Sequence, residues 1–238
     1  MTGASSGLGA RFARVLAGAG AAVVLAGRRE EQLRELAESI HEALAVRCDI
    51  TSDEDCGRLV EAGMATYGKI DILVNNAGAS QPTHALDETI ETFQKILDVN
   101  LVGAFRLCRL VGRHMVMRGH GSIVNIASMF GIVGAGRMPQ ASYAASKAAV
   151  INLTRELSAQ WAKRGVRVNA IAPGFFPTEM TQELFARPEG AEWVARLTPM
   201  GRGGRPEELD GALLFLAGNA SSYVTGSVLV VDGGWTAI

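Results

Sequence analysis

Six short apolar segments alternate with helical stripes along almost the whole of this 238-residue chain, and that alternation restricts the fold more than any other feature. The strand-like segments are AAVVLAG (21–27), ALAVRCD (43–49), IDILVNN (70–76), SIVNIAS (122–128), VRVNAIAP (166–173) and SVLVVDGG (227–234). Among them, Leu8, Phe12, Val15 and Leu16 share one helical face, as do Leu33, Leu36, Ala37 and Ile40, and then Cys56, Leu59, Val60, Met64 and Tyr67. Longer helices are expected over about 86–117 and 142–163. Continuous apolar strands separated by helices imply a parallel sheet covered on both faces. The class is therefore α/β with a doubly wound parallel sheet, and ligands are expected at the carboxyl ends of the strands. No linker, repeat or low-complexity tract divides the chain, so residues 1–238 read as a single domain.

The stretch 175–205 breaks the alternation. It carries Pro177, Pro188 and Pro199 and mixes aromatic with charged residues between a strand and a helix. A connection of that length inside a compact domain reads as a substrate lid, with a plain surface excursion as the alternative.

Composition removes several functions. The net charge is -1 with no basic block, which favours neither nucleic acid nor an anionic membrane. No apolar run approaches the ~20 residues of a membrane span, and no signal peptide is visible. Cys48, Cys56 and Cys108 form no CxxC pair and are odd in number, which reads as reduced thiols in the cytoplasm. The four histidines have no metal-ligand spacing, so no metal is expected.

The chemistry gathers at strand ends. The opening TGASSGLG carries Gly3, Gly7 and Gly9, with Ser5, Ser6 and Leu8 between them. Glycines let a backbone turn tightly against a pyrophosphate, whose charge then sits on the positive end of the following helix. Arg28 and Arg29 follow the next strand where such a fold meets an adenosine ribose, and Gly27 stands where an acid would hold the 2′-hydroxyl. Arg28 accordingly argues for NADP(H) over NAD(H). Asp49 and Ile50, and NNAG at 75–78 with Asn76, Ala77 and Gly78, also fall at strand ends, where their polar groups can hold an adenine.

Tyr143 and Lys147 in SYAASKAAV are i and i+4 on a helix and share a face. A free phenol has a pKa of ~10, and a neighbouring ammonium would bring it toward the working range of a general base. Ser128 closes the strand before that helix, and Asn100 is a polar residue inside an otherwise apolar one. The set TGASSGLG, NNAG, Asn100, Ser128, Tyr143-x-x-x-Lys147 and PG at 173–174, in that order and up to VDGGW at 231–235, resembles the short-chain dehydrogenase/reductase family. The resemblance implies a Rossmann-type domain, a nicotinamide cofactor, an Asn-Ser-Tyr-Lys tetrad and a homotetramer. It makes Tyr143 the proton donor or acceptor, with Lys147 lowering its pKa and binding the nicotinamide ribose. Ser128 would orient the substrate oxygen, and Asn100 would position a water in the proton relay. Pro173, Gly174, Phe176 and Thr178 would frame the nicotinamide. Asp71 reads as structural support for the cofactor pocket.

Two departures from the family pattern matter. The Ser128–Tyr143 interval is long, so Met129, Phe130, Met138, Arg137 and Gln140 are expected to wall the substrate side. The strand that precedes TG in the family, at the centre of its sheet, has no counterpart after Met1, which would leave two strand edges exposed in the middle of the fold. Met1 is accordingly expected to be an internal methionine, with a strand-forming segment ahead of it. The leading function is an NADP(H)-dependent oxidoreductase of a carbonyl or secondary alcohol, either a 3-oxoacyl thioester or a sugar or polyol. An acyl-carrier substrate would favour a basic patch from Arg196, Arg202 and Arg205. The alternative is a catalytically inactive nucleotide-binding module that works through oligomerisation or sensing. Self-association is expected from surplus apolar residues such as Leu101, Phe105, Leu153, Leu157 and Trp161.

Overall fold

A computed structural model describes residues 1–238. The six expected strands form, as β1 (Val23–Gly27), β2 (Ala43–Arg47), β3 (Ile72–Asn75), β4 (Gly121–Ile126), β5 (Val166–Pro173) and β6 (Val228–Val231). All their pairings are parallel, in two groups: β1 with β2, and β3-β4-β5-β6 in that spatial order. Every residue of β4 is buried, as expected for a central strand with helices on both faces. One face is covered by α1 (Gly7–Gly18), α2 (Glu30–Glu38) and α9 (Asp210–Ala217), whose Phe12, Leu16, Leu33, Leu36, Leu213 and Leu216 share a core with Val74 and Val124. The other carries α3 (Asp53–Tyr67), α5 (Gly103–Arg118) and α6 (Ala141–Trp161), which bring Leu59, Val60, Leu107, Val111, Met115 and Leu157 onto Leu73, Ile123 and Val168.

Local chemistry sets the helix ends. The Ser52 hydroxyl accepts from the Asp55 amide at 3.2 Å, three acidic residues fill the first turn of α3, and Gly68 ends that helix with a left-handed φ of 72°. The helix expected from about 86 begins at Ile90, because Thr89 caps it by accepting from the Thr92 amide at 3.2 Å. It continues through α4 (Ile90–Leu97), a π-helical turn at Asp98–Val102, and α5.

The sheet is interrupted between β1 and β3. The edges of β1 and β3 face each other across an apolar groove of about 400 Å³, lined by Leu16, Val23, Leu59, Val60, Leu73 and Val111 among others. Met1–Ala4 join the two edges at the carboxyl end of this groove. The Thr2 amide donates to the Val74 carbonyl (3.1 Å), the Ala26 amide to Met1 (2.9 Å), and the Ala4 amide to Ala26 (3.0 Å). The phosphate-type turn thus hangs from both halves by main-chain bonds.

The segment 175–205 folds into a 3₁₀ turn (Glu179–Thr181), α7 (Gln182–Phe185) and α8 (Pro188–Leu197). Its inner side carries an aromatic cluster in which Phe175 meets Phe130, Trp193 and Trp235 edge-on, with ring centroids 5.8, 5.6 and 5.1 Å away. Of the residues expected to be surplus, Leu157 is core and Trp161 packs onto Gly112, where a Cβ would meet its ring at 2.8 Å. Those two belong to the α5–α6 contact; Phe105 stays exposed.

Candidate active site

Strand ends and helix starts bring the predicted residues to one side of the sheet. Gly3 has φ 62° and passes so near β3's end that a Cβ there would meet the Ala77 Cα at 2.9 Å. Gly9 is more restricted, since a Cβ would fall 2.0 Å from the Gly3 carbonyl oxygen. The loop after β3 clamps this turn. The Thr2 hydroxyl accepts from the amides of Asn76 and Ala77, both at 3.0 Å, and the Asn76 side-chain amide donates to the carbonyls of Thr2 (3.0 Å) and Gly3 (3.3 Å). Asn75 turns inward and donates to Asn125 Oδ1 at 2.9 Å. The expectation that these two amides hold an adenine is thus corrected, because both are engaged by the protein itself.

Ser6 precedes α1 without capping it through its side chain, which leaves the first-turn amides of Gly7, Leu8 and Gly9 without a side-chain acceptor. The Arg29 guanidinium lies across the turn, donating to Ser5 Oγ at 3.1 Å and to Ser6 Oγ. It also donates to both oxygens of Glu179, at 3.1 and 3.0 Å. Arg28, the residue favoured from sequence, is exposed, and its charge adds a small part to the lowering of the Asp49 pKa. Asp49 is held below the usual carboxylate range mainly by the Thr51 amide and hydroxyl. Ile50 sends its side chain into the core against Gly103, where a Cβ would meet it at 2.8 Å, leaving its main chain at the strand end.

The other half of the site rests on β4 and α6. Ser128 follows β4, and its Oγ accepts from the Phe130 amide at 3.2 Å. The turn at Met129–Gly131 sits on α6 because Gly131 has no side chain; a Cβ would meet the Lys147 carbonyl carbon at 2.7 Å. That places Ser128 near Tyr143, where it works to lower the phenol's pKa. Lys147 is buried, donates to the Ile126 carbonyl at 2.7 Å, and lies 5.6 Å from the centroid of the Tyr143 ring. Asn100 lies on the π-helical turn with 2% exposure. Its amide oxygen accepts from the Ala79 amide (2.7 Å), and its nitrogen donates to the Ala79 carbonyl and Ser146 Oγ, both at 2.9 Å. Ser146 in turn donates to the Tyr143 carbonyl at 2.7 Å, so Asn100 braces the turn that carries Tyr143. Gly78 joins the two halves: a Cβ there would be 3.4 Å from Asn100 Oδ1 and 3.5 Å from Lys147 Nζ.

The electrostatics differ from expectation in one respect. Burial raises the Tyr143 pKa above 10, with Ser128 opposing it, and burial lowers Lys147 to about 8. Lys147 does not depress the phenol in this geometry, because its ammonium lies over the ring and bonds a carbonyl of β4. Pro173 and Gly174 end β5, and a Cβ on Gly174 would meet the Asp232 Cα at 2.7 Å. Phe176 is core, packed against Gly204. Thr178 lies beside the phosphate-type turn, its Cβ 3.9 Å from where a Gly7 Cβ would lie.

Other expectations are corrected by placement. Asp71 immediately precedes β3, at the opposite end of the sheet from the site, and pairs with Arg118 and Lys69. Gln140 is buried and accepts from Ser80 at 2.9 Å, and Met129 is core rather than pocket wall. Arg202 and Arg205 pair with Glu208 at 2.7 and 3.0 Å and form no free basic patch. Sequence reasoning missed Arg29's reach, Glu179 and Ser146. Of these, Ser146 carried a signal, one turn from Tyr143 on the same helix.

Residues 3–236 match the family model described as enoyl-(acyl carrier protein) reductase. The chain is 44% identical to a galactitol 2-dehydrogenase (L-tagatose-forming) of Cereibacter sphaeroides, over 99% of this chain and 93% of that one. It resembles the crystal structure of a short-chain type dehydrogenase/reductase from Mycobacterium marinum, with TM-score 0.95, 38% identity, and 100% of this chain and 94% of that one covered. It also resembles a gluconate 5-dehydrogenase from Burkholderia cenocepacia J2315 in complex with NADP and tartrate, with TM-score 0.94, 39% identity and the same coverage. The parallel sheet, the glycine turn, the grouping of Asn100, Ser128, Tyr143 and Lys147, and these likenesses agree: the chain belongs to the short-chain dehydrogenase/reductase family of NAD(P)(H)-dependent oxidoreductases.

Proposed function

We propose that this protein is an NADP(H)-dependent oxidoreductase of a secondary alcohol or its ketone, with a sugar, sugar acid or polyol as substrate. The observation that carries the reading is the loop 76–78, whose Asn76 and Ala77 bond Thr2 and Gly3 of the glycine turn and whose Gly78 lies where an added Cβ would come within 3.5 Å of Asn100 Oδ1 and Lys147 Nζ. The residues fit a dinucleotide. Gly3, Gly9 and Gly78 keep the turn and its neighbours clear of side chains, the start of α1 has no side-chain cap, and Arg29 brings a cation to the turn. The bound cofactor would accept or deliver the hydride.

The protein's own groups handle the proton and the substrate oxygen. Ser128 Oγ bonds that oxygen and holds it toward Tyr143. In oxidation Tyr143 accepts the alcohol proton as its phenolate, and in reduction its hydroxyl donates that proton to the carbonyl oxygen. Lys147 holds its ammonium for the nicotinamide ribose, and Asn100, through Ser146, fixes the turn that aims the phenol. The segment 175–205 closes the substrate side and excludes water. A 3-oxoacyl thioester, suggested by the acyl-carrier wording of the family model, is less favoured because Arg202 and Arg205 are paired with carboxylates. The exposed Phe105 and Val102 support self-association, with a homotetramer as the proposed state. Three free cysteines, all buried, support a cytoplasmic setting.

Steady-state oxidation of galactitol, gluconate and simple secondary alcohols with NADP⁺ or NAD⁺ tests the reading. Turnover that is faster with NADP⁺ and abolished by Tyr143→Phe supports it. Nucleotide binding without turnover on any alcohol or ketone would instead support the nucleotide-binding module.

A further inference from the structure

The first turn of the segment 175–205 already places a carboxylate on the nucleotide side of the site. Glu179 accepts from Ser6 Oγ at 2.6 Å and from two nitrogens of Arg29 at 3.0 and 3.1 Å. The same guanidinium reaches Ser5 and Ser6, so both hydroxyls, the cation and the carboxylate form one cluster beside the start of α1. Thr178, one residue earlier, lies beside the turn, its Cβ 3.9 Å from where a Cβ on Gly7 would be. A carboxylate held by a fork of N–H groups and a hydroxyl makes the contacts that a phosphate oxygen pair would make. Arg29 leaves β1 where an adenosine ribose meets the strand end, so this seat is the one a 2′-phosphate needs.

We propose that Glu179 is a specificity-determining residue for the cofactor: its carboxylate occupies the anion seat formed by Arg29 and Ser6 and must yield it to the adenosine 2′-phosphate. The inference rests on the NADP(H) reading above. NAD(H), which has a hydroxyl at that carbon, leaves Glu179 in place and loses nothing. NADP(H) must displace an internal anion and also bears its repulsion, so Glu179 narrows the preference that Arg29 creates. Both partners are about half exposed, with side-chain exposures of 45% and 57%, which keeps the internal pair weak enough to be displaced. Release of Glu179 also frees the start of the 175–205 segment from the turn, which couples arrival of the 2′-phosphate to that segment's position.

The test is calorimetric titration of the full chain and of Glu179→Gln and Glu179→Ala with NADP⁺, NAD⁺ and adenosine 2′,5′-bisphosphate. Both variants are expected to bind NADP⁺ and the bisphosphate about three- to tenfold more tightly than wild type, with NAD⁺ unchanged within about twofold. The gain should shrink as salt is raised, since it is electrostatic and exposed. Arg29→Ala should remove the difference between wild type and the Glu179 variants. Equal tightening of NADP⁺ and NAD⁺, no tightening, or weaker NADP⁺ binding would overturn the proposal. Wild type that binds NAD⁺ and not NADP⁺, with the variants alike, would overturn the NADP(H) reading as well. Glu179 variants that then gain NADP⁺ binding would overturn that reading alone.

Discussion

Strands β3 and β1 are written in nearly the same residues, ILVN and VVLAG, yet they live in different surroundings. β3 is joined along its length to β4, whose other edge meets β5, in a closed seam; Ser128 follows β4, and α6, which carries Tyr143 and Lys147, packs on β5. β1 pairs with β2 on one side and faces the apolar groove on the other, and the phosphate-type turn stands at the groove's end. The chemistry is therefore anchored by continuous pairing and by buried bonds such as Asn75–Asn125–Thr154. The nucleotide side is anchored by the Met1–Ala4 main-chain bonds and the Asn76 clamp. On the proposed function, the difference puts proton transfer and cofactor capture on separable parts of the fold.

The largest expected effect isolates the closed seam. Tyr143→Phe should lower kcat/KM by about 10²–10⁴-fold, the usual worth of a general acid–base, while the dissociation constant for NADP⁺ stays within a few-fold. A comparable loss of NADP⁺ affinity would mean that the two halves are not separable.

A pair of core truncations sharpens the contrast in stability. Ile123 is fully buried in β4, and Ile123→Ala should cost about 2–5 kcal/mol. Leu59 lines the groove with 8% exposure, and Leu59→Ala should cost less, about 1–2 kcal/mol, because part of its surface already lacks packed neighbours. Denaturant midpoints at constant m-value would measure both; equal costs would show that the groove behaves as packed core.

Lys147 predicts a pH effect of smaller size. Burial lowers its pKa from the ordinary 10.5 to about 8, so between those values the unfolded chain holds a proton that the folded chain has released. Stability from this group therefore rises with pH across that window, and its cost is fully present below about pH 8. The rise across the window amounts to about 3 kcal/mol and should vanish in Lys147→Met. A wild-type slope no steeper than the variant's would show that the ammonium is better solvated than its 4% exposure implies.

Much of this could be read without coordinates, and the limits are physical. Strand order, helix stripes and the Tyr143–Lys147 pair follow from local spacing, which the backbone enforces wherever the chain is helical or extended. Arg28 and Arg29 are neighbours with equal claims in sequence, and only the direction in which the chain leaves β1 places Arg29 over Ser5 and Ser6. Glu179 meets Arg29 across 150 residues, a contact no local pattern encodes. The Asn76 amide looked like a ligand group until Thr2 and Gly3 were seen to need it. The shift in Tyr143 ran opposite to expectation because i,i+4 spacing sets a shared face and leaves open whether the ammonium reaches the oxygen or the ring.

Thermal unfolding of the full chain alone, with NADP⁺ and with NAD⁺, tests the central claim most directly. A ligand at a hundred times its dissociation constant adds about 2.7 kcal/mol to the folded state, a shift of roughly 5–10 °C for a chain of this size. The account predicts one cooperative transition, raised by both nucleotides and more by NADP⁺ at equal concentration. A transition that neither nucleotide moves would contradict it.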